Sequence, residues 1–255
     1  MSTPIARDLN AILHEIRSEL RRAVRGVRTL SSPLSTFREL NSWPPTRPRF
    51  QICFDLNPLP PIGQGLTLNT LVLSQPDERL EDLAYDIARA VWQLKDRLKR
   101  LARIRGFPTQ LVEDHAGQSR TLRTIGDLTN HKKHGQYASK SCPVINIVEF
   151  DLRSNGPIEY WYSGASKEST VLVTRPEPIP FSIPVYSTTT AYRSGIHDPS
   201  TISEIGKAND LLRTALLEWV PILDQLQALH DSDSNPESVW LKQSLDSLTS
   251  DYWRQ

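Results

Sequence analysis

Apolar residues recur at three- and four-residue spacing in several stretches of the chain, and each such stretch predicts an amphipathic helix. The first carries Ile5, Leu9, Ile12, Ile16, Leu20, Val24 and Val27; Thr3 caps it, Pro4 is its first residue, and it runs to about Leu30. The most regular stretch is 78–105. There Leu80, Ala84, Ile87, Val91, Leu94, Leu98 and Leu101 step alternately by four and three, and Leu83 and Trp92 widen the stripe. Such spacing fits either the seam of an intermolecular coiled coil or a bundle core, and the other amphipathic helices favour the bundle. Gly106 then stands as a C-terminal cap. A third helix is expected from about Gln118 to His134, stopped by Gly135. After Pro199, Thr201 and Glu204 form a capping box for a helix with Ile205, Leu212, Leu216, Trp219, Ile222, Leu223 and Leu226, which Pro221 should kink. A last short helix starts at Asn235-Pro236 and uses Val239, Trp240, Leu245 and Leu248.

Elsewhere the period falls to two. Phe50, Ile52, Phe54 and Leu56 alternate with polar residues inside a proline-rich stretch at 43–61, which predicts one short strand, and Leu66–Leu73 predicts a second. Val144–Leu152, Ile158–Tyr162 and Thr170–Thr174 also read as strands, with Asn155-Gly156 as a hairpin turn. Pro176, Pro178, Pro180 and Pro184 make any strand through Phe181–Thr190 an edge or an extended wrap. The elements together predict an α+β chain in one domain: an antiparallel helical bundle from 1–142 and 199–255, and a small antiparallel β insertion at 143–192.

Composition narrows the function classes. With 30 Lys+Arg against 29 Asp+Glu in 255 residues, the chain is neither a strongly basic nucleic-acid coat nor an acidic tail protein. The balance is uneven along its length: residues 1–110 hold 17 cations against 11 anions, and residues 111–255 hold 13 against 18. That asymmetry implies either internal docking or a local anion-binding face. Two cysteines, Cys53 and Cys142, build no disulfide scaffold. No apolar run approaches the roughly 18 residues of a membrane span. Asp8, Glu15 and Glu19 among the N-terminal arginines, with no compact apolar stretch, speak against a signal peptide. A cytoplasmic protein with no membrane association and no cofactor is expected.

One segment carries chemistry. At about 100° per residue, Arg120, Arg123, Asp127, Asn130, His131 and His134 share one helix face, with Leu122, Ile125 and Leu128 opposite. Those groups suit phosphodiester cleavage without a metal. A histidine takes or gives the proton, an arginine holds the phosphate, and Asp127 or Asn130 fixes an imidazole tautomer. His134 at the helix C-terminus is favoured in its protonated form. Lys132 and Lys133 extend the cationic surface, as do Lys99, Arg100 and Arg103 at the end of the 78–105 helix. A solvated surface stripe with ordinary i,i+4 pairing produces the same pattern. A metal site from Asp127, His131, His134 and His115 has suitable spacing, but Lys132 and Lys133 would repel the cation, so no metal is expected.

Helix Leu83–Leu98 together with Gly126-Asp127-Leu128-Thr129-Asn130-His131-Lys132-Lys133-His134-Gly135 resembles an uncharacterised bacterial group with an Asp-x2-Asn-x2-Lys-His helix, related to the HEPN superfamily. The tryptophan-bearing segment Leu216–Leu223 fits the same likeness, which covers about half the chain. The resemblance implies a helical bundle, often dimeric, that cuts RNA in toxin or defence systems through an Arg-x4–6-His motif. Carried over, Arg123 holds phosphate and His131 or His134 acts on the proton. Here seven residues separate Arg123 from His131 and ten separate it from His134, a wider spacing than the motif.

Other motifs carry less. Gly63-Gln64-Gly65 lacks the lysine of a phosphate loop, no serine sits in a GxSxG elbow, and neither cysteine has a CxxC partner. Tyr160-Trp161-Tyr162 offers either a base-stacking platform or sheet packing. The expectation is thus a protein acting on RNA, with metal-independent endoribonuclease activity as the candidate reaction. The alternative is a non-catalytic interaction module, a homodimer or the subunit of a protein complex.

Overall fold

The computed structural model describes residues 4–32, 51–52, 66–75, 77–134, 141–145, 148–163, 168–173, 181–189, 203–229 and 236–249. In chain order the elements are α1 (Pro4–Ser31), β1 (Gln51–Ile52), β2 (Leu66–Gln75), α2 (Glu78–Ile104), α3 (Gln110–Gln118), α4 (Arg120–His134), β3 (Ser141–Val144) and β4 (Val148–Ser163). These are followed by β5 (Glu168–Val173), β6 (Phe181–Ser182), β7 (Pro184–Thr189), β8 (Ser203–Lys207), α5 (Ala208–Glu218), α6 (Val220–Gln225) and α7 (Pro236–Thr249). The fold is α+β, mainly helical with antiparallel sheet. Expectations resting on Thr3, on Gly135, on residues 53–61 and on Thr201 lie outside the described residues.

The chain divides into two compact units. One comprises residues 1–31, 82–145 and 185–255; the other comprises 32–81 and 146–184. The expected single domain with an insertion at 143–192 differs from this division, because β2 pairs antiparallel with β4 and so draws residues ahead of α2 into the same sheet. Residues 185–189 belong with the helical unit instead, since β7 pairs with β3.

In the helical unit the sequence periodicity is realised as burial. Ile12, Ile16 and Leu20 of α1, Leu94 and Leu98 of α2, and Leu122 and Ile125 of α4 are all fully buried. The 4,3 stripe of α2 therefore packs inside one chain, and the coiled-coil alternative has no exposed seam to use. Helix α2 closes on Gly106 at φ +76, where Phe107 N–H donates to Ala102 C=O at 2.8 Å and Gly106 N–H to Arg103 C=O at 3.2 Å. This is a Schellman cap, and its left-handed residue is a glycine for steric reasons. The expected kink at Pro221 appears as a break: α5 ends at Glu218, Trp219 makes the turn, and Pro221 sits in the first turn of α6, where its missing N–H breaks no helical bond. Trp219 is fully buried and its Nε1–H donates to Val91 C=O of α2 at 3.0 Å.

Three local expectations change. The segment with Glu204 and Ile205 is a strand, β8, rather than the first turns of a helix. Gly206 takes a φ of +150, a backbone angle that a residue with a Cβ rarely adopts. Glu204 Oε1 meets Lys207 Nζ at 3.2 Å, and helix begins only at Ala208. Of the segment 181–190, β6 pairs with β4 alone among the described strands, as an edge does, whereas β7 is not an edge, since it lies between β3 and β8. Pro184 is its first residue, a position that interrupts no ladder.

In the β unit, Asn155-Gly156 does not reverse the chain. Strand β4 continues through it, and the register jumps from Thr70↔Arg153 to Leu68↔Ile158, so residues 154–157 stand against Asn69 alone. The dipeptide marks an irregularity in the ladder. The reversal comes later, where Ser163 of β4 pairs with Glu168 of β5.

Candidate functional site

Helix α4 is set by its first residue and its closest approach. Ser119 caps it, its Oγ accepting from Leu122 N–H at 2.9 Å, so the expected helix from Gln118 divides into α3 and α4 at this serine. Gly126 lies against the indole of Trp92: a Cβ at that position would be 2.7 Å from the ring. Its absence lets α4 seat on α2. Leu122, Ile125, Gly126 and Leu128 are buried, while Arg120, Arg123, Asp127 and Asn130 are exposed. The two faces expected from the sequence are therefore the two faces observed, as far as Asn130. The backbone stays helical through His131, Lys132, Lys133 and His134, whose side chains lie outside the described residues.

The described part of this face is weakly tied down. Arg123 Nε donates to Ser119 C=O at 3.3 Å, a bond that leaves the rest of the guanidinium on the exposed side of the helix. Although Asp127 is exposed as a residue, partial burial of its carboxyl pushes it above the usual aspartate range, against the pull of Arg123. The face thus combines guanidinium groups, a carboxyl that protonates more readily than an ordinary aspartate, and a side-chain amide.

The basic end of α2 is arranged differently. Lys99 Nζ and Lys95 Nζ both bind Glu113 of α3, at 2.5 and 2.7 Å. Arg97 meets Glu19 at 3.1 Å and Arg100 meets Glu15 at 3.0 Å, both on α1. Arg103 is exposed. These cations dock helix to helix, and only the Glu113 pairs join the cation-rich part of the chain to the anion-rich part. The two lysines hold Glu113 below the usual glutamate range, chiefly through their hydrogen bonds, and Glu113 in turn raises the Lys99 ammonium. A carboxylate with a lowered folded-state pKa stabilises the fold above its unfolded value and loses that contribution as pH falls. Glu113→Gln should therefore destabilise by no more than about 1 kcal/mol at neutral pH, since the pairs are partly exposed. The difference from wild type should begin to shrink as pH drops below about 4.3, the ordinary glutamate value, and be lost as pH falls through the lowered folded-state value; a series of denaturant melts from pH 7 downward measures it.

Sequence patterning missed a polar corner beside α4. His115 Nε2 lies 2.6 Å from Glu218 C=O, Ser119 Oγ donates to the Glu218 carboxylate, and the His115 ring stands 5.7 Å from that of Trp219. This corner fastens the α3–α4 junction to the end of α5. Its histidine faces a main-chain oxygen rather than the serine, so it forms no nucleophile–base pair. The only sequence signal is Ser119 itself, a capping residue ahead of an apolar stripe. Among the described residues no three His, Cys, Asp or Glu side chains gather as a metal-holding group.

No family model, curated protein or solved structure matches the chain. The α4 face is therefore assigned by its own chemistry. Among the described residues no helix is long and apolar enough to cross a membrane.

Proposed function

We propose that the protein acts on RNA through the polar face of α4, as an HEPN-like, metal-independent endoribonuclease candidate of a cytoplasmic toxin or defence system. The observation that carries this reading is that α4 buries Leu122, Ile125 and Leu128 and exposes Arg120, Arg123, Asp127 and Asn130 on a helix that continues to His134. In this reading Arg123, with Arg120, holds the scissile phosphate and offsets charge on the pentavalent transition state. One of His131 and His134 takes the ribose 2′-OH proton and the other protonates the leaving oxygen. Asp127 and Asn130 orient the imidazoles, and Lys132, Lys133 and Arg103 contribute cationic surface. Lys99 and Arg100 serve this role only if a phosphate displaces Glu113 and Glu15.

Incubation with mixed tRNA and mRNA in excess EDTA tests the proposal, with His131→Ala/His134→Ala alongside. Wild type should leave 2′,3′-cyclic phosphate ends and the variant should leave the RNA whole. Intact RNA with both proteins ends the reading.

A second reading, a non-catalytic module acting as a homodimer or complex subunit, draws on the ion pairs of Lys99 and Arg100 and on the wide Arg123–His131 spacing. A strict monomer in sedimentation with no co-purifying protein would count against it.

A further inference from the structure

Helix α1 carries Arg21, Arg22, Arg25 and Arg28 within two turns and no acid from Leu20 to Ser31. The helix dipole accounts for Arg28, which lies in the last turn. It does not account for the other three, which also repel one another at i,i+3 and i,i+4 spacing. Among the described residues, carboxylates of α7 and α2 face Arg21 and Arg22. Arg21 pairs with Glu237 of α7. Asp86 of α2 is shared between Arg22 at 3.7 Å and Arg89 at 3.5 Å, one carboxylate between two guanidinium groups. Arg28 donates to the Ser247 hydroxyl at 3.1 Å. Arg25 is exposed, and its guanidinium stands 5.8 Å from the ring of Trp240, which Arg28 also approaches at 5.7 Å. Trp240 is half-exposed beside the exposed Val239.

If Trp240 served only to dock α7 on α1, its approach to Arg28 would be explained. The outward placement of Arg22 and Arg25 would not. Guanidinium groups match phosphate oxygens in a bidentate fork, and a half-exposed indole beside them offers a nucleobase a face to stack on where the guanidinium groups leave it open. We propose that this α1–α7 surface binds the phosphate backbone of single-stranded RNA, Arg22 and Arg25 each holding a phosphate and Trp240 stacking a base. The proposal rests on the α4 reading for the identity of the polymer, but uses none of its residues.

The test is fluorescence anisotropy of the full chain with a labelled single-stranded RNA of about 16 nucleotides, over a KCl series in EDTA. The His131→Ala/His134→Ala background keeps the RNA whole. Adding Arg22→Gln/Arg25→Gln should weaken binding and lower the slope of log K against log salt by about 1.4, at about 0.7 for each phosphate no longer held. Unchanged affinity and slope overturn the proposal, as does poly-glutamate competing as well as RNA of equal charge, which would make the partner an acidic peptide. Arg120→Gln/Arg123→Gln separates the two ideas. If only that variant weakens binding, the α1 surface falls and the α4 reading stands. If only the α1 variant weakens binding and wild type cuts nothing, the α1 surface stands and the α4 reading falls.

Discussion

Trp219→Ala should cost about 3–5 kcal/mol, the range for removing a buried aromatic side chain. Trp219 is fully buried, sits at the turn between α5 and α6, and reaches across to α2 through its bond to Val91 C=O. Truncation empties the space between these helices and removes the ring beside His115. Trp219→Phe isolates the second effect: it keeps most of the apolar volume, loses the indole N–H, and should cost less than the alanine variant. Urea titrations followed by circular dichroism measure both. A loss under about 1 kcal/mol for Trp219→Ala would mean that the core closes over the gap and that this residue does not fix the helices.

Gly126→Ala should destabilise by up to about 2 kcal/mol, as the net of two opposed effects. Overpacking a close helix interface costs about 1–3 kcal/mol, while replacing a mid-helix glycine by alanine returns about 1 kcal/mol of helix propensity. Overpacking wins where the indole is held in place: the added Cβ would lie 2.7 to 2.9 Å from three atoms at the outer end of the Trp92 ring, which must shift to admit it. This close approach sets where α4 lies, so the same substitution should displace the face that bears Arg123 and Asp127. In the double variant with Trp92→Ala the penalty should shrink, since the obstructing ring is gone. Additive losses would show that Trp92 and Gly126 do not press on one another.

The helices are legible because their signal is local. Burial of Leu80, Ala84, Ile87, Val91, Leu94, Leu98 and Leu101 follows from spacing that one stretch of chain displays by itself. The same holds for the opposed faces of α4 and for the cap at Gly106. Strands declare only half of what defines them. Nothing within residues 184–189 reveals that β7 has a neighbour on each side, because those neighbours are β3 and β8. The Asn155-Gly156 pair reads as a turn since its backbone permits one; that β4 runs on depends on β2, whose pairing residues begin at Leu66. Glu113 is equally hidden. Its role depends on Lys95 and Lys99 one helix away, and a charged residue on a short helix looks alike with or without partners.

The discontinuity of the helical unit has a consequence during synthesis. Asn209 of α5 donates its side-chain amide to Leu30 C=O at 2.5 Å, and Ser247 of α7 accepts from Arg28. The helix made first is thus completed by segments made last. At about 5–20 residues per second, some 180 residues must emerge after Leu30 before α5 can arrive, a wait of about ten to forty seconds. Helix α2 is made earlier and docks on α1 through Arg97–Glu19 and Arg100–Glu15, but the part of the α1 surface that α5 and α7 cover stays open through that interval. The nascent chain should therefore be a chaperone client, and a ribosome-bound fragment ending before Ala208 should be cut by protease within α1, where the finished protein resists.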